Sequence, residues 1–116
     1  VTIGIEPREG GLCTERGPHG FRLDWGRVLT WAPPGELVFT WQIGPDRVPQ
    51  PDPARASTVS VRFRDAGGDG TRVVLAHGDF DRHGDGHAAY RDALASEYGW
   101  PYILQRYAQA AAAPDV

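Results

Sequence analysis

Residues that bind metals or carry protons are concentrated in one short stretch, HGDFDRHGDGH, at residues 77–87. Three of the chain's four histidines lie here, interleaved with aspartates. Imidazole nitrogens and carboxylate oxygens are common ligands of zinc and calcium, and an imidazole also transfers protons near neutral pH. The composition of this stretch is therefore compatible with metal binding and with acid–base catalysis. The secondary structure around it distinguishes the two.

Both metal interpretations fail in detail. An EF-hand-like loop over 81–92 would carry histidine at its third position, alanine at its ninth and aspartate where a bidentate glutamate is needed. Zinc binding by His83 and His87 would require a helix from His83 onward, which Gly84 and Gly86 disfavour. We therefore predict no metal and no other cofactor.

The elements that position this stretch follow from hydrophobic periodicity. Alternation of apolar and polar residues predicts an antiparallel sheet with strands at 1–7, 12–16, 21–31, 36–43, 57–64 and 71–77. The proline-rich segment 44–56 is predicted to be an exposed loop. From residue 87 the period becomes three to four, which predicts a short helix, a break at 99–101 and a main helix from about Pro101.

His77 closes the last predicted strand, on the face that also carries Val73 and Leu75. A buried imidazole needs partners for both ring nitrogens, and burial disfavours its charged form. His77 could bond a ligand oxygen, act as a general acid or base, or serve as a structural histidine that ties the strand end to the last helix. The rest of the stretch is then a polar connection from the last strand to the first helix, with Phe80 packed onto the core. His77 is therefore the one candidate site residue of residues 77–87.

Composition limits the function further. A chain of 116 residues forms one domain, and its net charge of −3 argues against nucleic acid as a partner. The absence of lysine removes Schiff-base and Walker-type phosphate chemistry, and no serine lies in a G-x-S-x-G motif. The single cysteine, Cys13, and the lack of a long apolar run predict a cytoplasmic protein without a membrane partner.

Three segments carry a family pattern: WGRVLTWAPPGELVFTW (25–41), STVSVRFRDAGGDGTRVVLAHGDF (57–80) and GWPYILQRYA (99–108). In this order they resemble the activator of heat-shock protein 90 ATPase homologues, of the SRPBCC (START-like, polyketide cyclase) superfamily. The matching positions are Gly26, Val28, Pro33, Pro34, Thr40, Trp41, Val59, Val61, Phe63, Gly70, Thr71, Val73, Leu75, His77, Gly99 and Trp100.

The resemblance implies an α+β helix-grip fold, in which a curved antiparallel sheet wraps around a long C-terminal helix. It implies one domain over residues 1–116 that lacks the family's N-terminal strand and two helices, with a frayed tail at 112–116. An uncovered sheet edge would either be covered by a partner chain, such as a second copy in a homodimer, or remain open to unwanted pairing with other strands.

The resemblance also implies a largely apolar cavity between the sheet and the C-terminal helix that binds a small hydrophobic molecule. The predicted lining residues are Phe39, Trp41, Val61, Phe63, Leu75, His77, Trp100, Leu104 and Tyr107. The alternative for each of them is simple core packing. The two tryptophans are expected at the cavity rim, because an indole packs apolar surface and still donates one hydrogen bond.

Bacterial members of this type mostly have no assigned reaction, so binding without catalysis is the first hypothesis. A polyketide cyclase or aromatase is the second, because such chemistry needs a shaped pocket and one acid or base, which His77 or Tyr107 could supply. The third is an interaction module for a chaperone or regulator, which predicts a collapsed cavity and an exposed apolar patch.

Overall fold

The computed structural model describes residues 2–68 and 70–112. Within them, six strands form one antiparallel sheet in which each strand pairs with the next along the chain. The strands are β1 Thr2–Ile5, β2 Leu12–Arg16, β3 Arg22–Ala32, β4 Glu36–Trp41, β5 Ser57–Asp65 and β6 Thr71–Gly78. Helices α1 (His87–Ala95) and α2 (Trp100–Ala112) follow the sheet, and neither is long and apolar enough to cross a membrane.

The predicted α+β architecture is confirmed, with a curled sheet followed by a longer C-terminal helix. A break between the two helices is present, at residues 96–99 rather than at the predicted 99–101, because Trp100 and Pro101 already form the first turn of α2. Residue 1 of the first predicted strand and residues 113–116 of the predicted frayed tail lie outside the described residues.

The core lies on the inward face of β2 to β5. Cys13, Val28, Phe39 and Val59 are buried together. Their contact follows from strand register, because Phe39 pairs with Val28 on one side and with Val59 on the other. Around them pack half-buried side chains that the alternating pattern directs to the same face: Ile5, Trp25, Leu37, Trp41, Val61, Leu75 and Trp100.

Gly26 lets β3 approach both of its neighbours closely. A Cβ placed at this position would collide with the carbonyl oxygen of Thr40 and would crowd the side chain of Cys13. The β2–β3 register also shifts beside it, between Cys13 and Thr14, which is the irregularity of a β-bulge. A glycine inside a strand is typical of a bulge or of a close backbone approach, and both occur at Gly26.

Replacing Gly26 with alanine should therefore destabilise the fold by about 1–3 kcal/mol, because backbone cannot yield as a flexible side chain can. Gly4→Ala is the matched control, since a Cβ at Gly4 meets nothing within 4 Å, and its effect should stay within about 0.5 kcal/mol. Urea denaturation of the two variants measures the difference. Equal free energies of unfolding would contradict the close approach.

The proline-rich segment 44–56 is attached to the end of β4 through buried polar groups. The Thr40 hydroxyl accepts a hydrogen bond from the Arg27 backbone N–H (2.8 Å) and donates one to Gln42 Oε1 (2.7 Å). Gln42 Nε2 then donates to the carbonyls of Gln50 (3.1 Å) and Pro51 (3.3 Å). The segment is largely exposed, but this anchoring fixes the point where β5 begins.

The stretch between β6 and α1 changes direction several times. Asp79 adopts left-handed backbone dihedrals (φ 60°), and a 3₁₀ helix follows at Phe80–His83. Gly84 and Gly86 also have positive φ, and α1 then begins at His87. Phe80 is buried, as predicted. The alternating histidines and aspartates are thus divided among a strand, a 3₁₀ helix and an α-helix.

Candidate functional site

A cavity of about 990 Å³ opens between the sheet and the C-terminal half of α2, and we call it the cleft. On the helix side it is lined by Leu104, Tyr107, Ala108 and Ala111, whose spacing places them on one helical face. The other lining residues come from the β3–β4 turn and from the end of the β5–β6 hairpin: Pro34, Phe63, Arg64, Asp65, Gly68, Gly70, Thr71 and Val73.

The sheet wall of the cleft consists of two cross-strand pairs. Phe63 pairs with Val73, and Asp65 pairs with Thr71 one step nearer the hairpin turn. Because residues two apart on a strand share a face, these four residues present an apolar pair and then a polar pair to the same side. The cleft therefore has apolar walls on both sides and a polar edge at the hairpin.

The structure separates the predicted lining residues into three groups. Phe63, Leu104 and Tyr107 line the cleft. Phe39 belongs to the buried core, and the predicted residues that pack half-buried against that core are Trp41, Val61, Leu75 and Trp100. His77 lies beside the tryptophans, where hydrogen bonds occupy both of its ring nitrogens.

A chain of hydrogen bonds joins α2, β6, β5 and the 3₁₀ helix. Trp100 Nε1 lies 2.9 Å from His77 Nδ1, and His77 Nε2 lies 2.7 Å from the Ser57 hydroxyl. The same hydroxyl lies 2.7 Å from His83 Nε2, which also accepts the Ser57 backbone N–H at 3.2 Å. We call these four side chains the histidine chain.

The donors determine the tautomers. An indole N–H can only donate, so His77 Nδ1 accepts and the proton of the neutral ring lies on Nε2. The Ser57 backbone N–H can also only donate, so His83 Nε2 accepts and its ring proton lies on Nδ1. The Ser57 hydroxyl then accepts from His77 and donates to His83, so every bond has one direction.

Burial keeps both imidazoles neutral. Burial, together with a smaller contribution from the nearby His83, lowers the pKa of His77 to about 4. Burial also lowers the pKa of His83, with a smaller contribution from His87. Around His77 lie the rings of Trp41, Trp100 and Phe80, with the Phe80 centroid 4.1 Å from the imidazole.

In this geometry the histidine chain is a link between elements. The Ser57 side chain is fully buried, so its hydroxyl is not exposed for attack on a substrate. The nitrogen of His77 that could take a proton accepts the Trp100 indole N–H instead. Of the alternatives that the sequence leaves open for His77, this contact corresponds to the structural histidine that ties the strand end to the last helix.

Three residues of this region were not predicted from the sequence: Ser57, His83 and Tyr90. Strand register would have found Ser57, because Val59 lies opposite His77 and Ser57 shares its face. The Tyr90 hydroxyl accepts the Trp41 indole N–H (2.7 Å) and donates to the Ile43 carbonyl (2.9 Å), and burial raises its pKa. The Trp41 indole N–H, expected at a cavity rim, therefore bonds within the protein.

Other candidate groups are not arranged for chemistry. Cys13 is buried, and burial raises the pKa of its thiol to about 11, so at neutral pH it is protonated and weakly nucleophilic. In the described ranges, no three side chains from His, Cys, Asp and Glu come together as a metal site.

Comparison with known proteins identifies the family. The family model described as "Activator of Hsp90 ATPase homolog 1-like protein" matches residues 2–112. The chain belongs to this family. It thus has the helix-grip fold of the SRPBCC superfamily, as the resemblance of its strands and Gly-Trp motif implied.

One solved structure is similar to this family member over most of its length. It is titled an anthrahydroquino-Gama-pyrone synthase, Txn09, complexed with SUM. The two are 41% identical with a TM-score of 0.57, and the match covers 81% of this chain and 61% of that chain. Among curated proteins, no match was found.

The neutral histidine chain predicts a specific pH dependence of stability. Because His77 has a pKa of about 4 in the native state and about 6.5 when exposed, the unfolded state binds a proton first as pH falls. The free energy of unfolding should change little between pH ~7 and pH ~8 and should fall by about 1–3 kcal/mol towards pH ~4. Urea denaturation against pH measures this. The acid-induced decrease in the free energy of unfolding should be smaller in His77→Gln, whereas His87→Gln should keep most of it. If the two variants showed the same pH dependence, His77 would not be its cause.

Two tryptophans provide a matched test of the tautomer assignment. Trp100→Phe removes the donor to His77 Nδ1, whereas Trp41→Phe removes an indole bond to Tyr90. Because a hydrogen bond to the neutral imidazole opposes its protonation, the pKa of His77 should rise in the first variant and change little in the second. NMR titration of the histidine ring signals distinguishes the two. A rise of the same size in both variants would contradict the assignment.

Proposed function

We propose that this chain binds a planar, largely apolar small molecule in the cleft. The observation that carries the proposal is the cavity of about 990 Å³, bounded by Phe63 and Val73 on the sheet and by Leu104 and Ala108 on α2. Ligand sites of small organic molecules have volumes of roughly 300–1,000 Å³ and are mainly apolar with a few polar groups.

The arrangement of the two walls supports a flat ligand. The sheet and the helix face each other across the cleft, and small side chains at Ala108 and Ala111 leave space beside the helix backbone. Phe63 and Tyr107 supply aromatic rings on opposite walls, and aromatic rings pack favourably against one another in offset or edge-on geometry.

The similar synthase supports the same ligand class. Its title names an anthrahydroquino-pyrone product, which is a fused ring system, and this chain is 41% identical to it. Fused aromatic rings are flat and apolar, and the apolar part of the cleft, between Phe63 and Val73 on the sheet and Leu104 on α2, offers such rings packing surface.

A larger side chain in the cleft should weaken ligand binding. Ala108→Leu adds a branched side chain on the cleft face of α2, and it should weaken the binding of 2-naphthol, a two-ring aromatic alcohol, by at least about tenfold. Ala110→Leu is the control, because Ala110 is exposed and does not line the cleft. Isothermal titration calorimetry at neutral pH gives both dissociation constants. Equal weakening, or none in either variant, would contradict binding in the cleft.

A second candidate function is ring closure on such a ligand. The observation that favours it is the 41% identity to a pyrone synthase. Closing a pyrone ring from a hydroxyl and a 1,3-diketone forms a C–O bond at one carbonyl carbon and then breaks that carbon's bond to its original oxygen. That oxygen leaves as water with the hydroxyl proton and one proton of the adjacent CH2, a ring C=C bond forms, and an acid–base group assists these proton transfers. Tyr107 lines the cleft and could serve, whereas His77 does not line it.

This candidate has a direct assay. With 1-(2-hydroxyphenyl)butane-1,3-dione, ring closure forms 2-methylchromone and water, which ultraviolet absorbance detects. A catalyst should increase the rate above that in buffer, and Tyr107→Phe should remove most of the increase while 2-naphthol still binds. A rate equal to that in buffer would refute catalysis of this closure and leave ligand binding intact.

The third hypothesis, an interaction module for a chaperone or regulator, stays a prediction. So do the cytoplasmic location and a homodimer that covers a sheet edge.

A further inference from the structure

We propose that the cleft selects aromatic ligands that carry a hydroxyl group at one edge, and that Asp65 together with Thr71 binds that hydroxyl. This inference rests on the proposed function, that the cleft binds a flat aromatic molecule. It specifies which chemical group the ligand must carry, a hydroxyl, and which two residues bind that group.

The position of the polar edge follows from strand register. A ring lying on the Phe63–Val73 pair is one step from the Asp65–Thr71 pair, because both pairs occupy the same face of the β5–β6 hairpin. Two residues along a strand span about 7 Å, which is close to the length of two fused rings. A substituent at the end of a two-ring or three-ring ligand therefore reaches the polar pair while its rings stay between the apolar walls.

The carboxylate of Asp65 has free acceptor capacity. Its Oδ1 accepts the Gly67 backbone N–H at 2.8 Å, which holds the side chain at the hairpin turn. Arg64 also lines the cleft, but in the described part of the chain no arginine, Arg64 included, lies within ion-pair distance of the Asp65 carboxylate. An ionised carboxylate accepts about four hydrogen bonds and donates none, so the second oxygen can accept a donor from a ligand.

This chemistry distinguishes a hydroxyl from its ether. A phenolic hydroxyl donates to a carboxylate, and such charge-assisted bonds are stronger than neutral ones. A methoxy group has no proton to donate, so it would place an ether oxygen against the carboxylate. Thr71 adds a hydroxyl that both donates and accepts, so it can bond the ligand oxygen while Asp65 takes the proton.

The test uses a ligand pair that differs in one donor, 2-naphthol and 2-methoxynaphthalene, at neutral pH. Wild-type protein should bind 2-naphthol at least about tenfold more tightly. Asp65→Asn keeps an oxygen for the Gly67 N–H but replaces the free carboxylate oxygen with an amide that donates, so this preference should fall below about threefold.

The control is Asp46→Asn. Asp46 makes the same kind of turn contact, to the Val48 backbone N–H at 3.1 Å, and it does not line the cleft. This variant should keep the wild-type preference. Denaturation curves of the two variants verify that both remain folded.

The outcomes are distinct. Equal binding of the two ligands by wild-type protein would overturn hydroxyl recognition while leaving the proposed cleft intact. A preference that survives in Asp65→Asn, or that is lost equally in Asp46→Asn, would overturn the role of Asp65. Binding of neither ligand would overturn the proposed function itself, and this inference with it.

Discussion

The hydrogen bond from the Trp100 indole to His77 determines where the C-terminal helix meets the sheet. Trp100 is the first residue of α2, and His77 is near the end of β6, so the bond joins the two at one end of each. Ser57 and His83 extend the connection to β5 and to the 3₁₀ helix. Four elements thus depend on two imidazoles that must remain neutral, because both accept from groups that only donate.

This attachment accounts for the position of the cleft. The Trp100 indole packs against Trp41 with ring centroids 5.5 Å apart, and neither residue lines the cleft. Further along α2 the residues on the inner face become small, at Ala108 and Ala111, and the cavity opens. The helix is hydrogen-bonded to the sheet at Trp100, and the cleft lies along the half of the helix that carries the two alanines.

The two polar regions of the inner face therefore lie at opposite ends of β6. His77 belongs to the closed end, and Thr71, six residues earlier, belongs to the open end, about 20 Å away along the strand. This separation is why His77, the candidate that its residue type suggests first, does not line the cleft. The polar and ionisable side chains that line the cleft are instead those of Arg64, Asp65, Thr71 and Tyr107.

Much of the fold was predictable from sequence, because each strand alternates with period two and the helices carry a period near four. The same patterns predicted that Phe63 and Leu104 face the space between the sheet and the C-terminal helix, and both residues line the cleft. They could not tell how far along α2 the space opens, so Trp41 and Trp100 were expected at its rim. His83 was missed because the left-handed backbone at Asp79 turns it back towards Ser57, and no periodicity records such a turn.

The central claim is that an aromatic ligand lies between the sheet wall and the helix wall. Intermolecular nuclear Overhauser effects between 2-naphthol ring protons and protein methyl groups test it most directly. The account predicts contacts from the same ligand to Val73 on β6 and to Ala108 on α2. Contacts confined to the exposed helix surface at Ile103, with none to Val73, would contradict it.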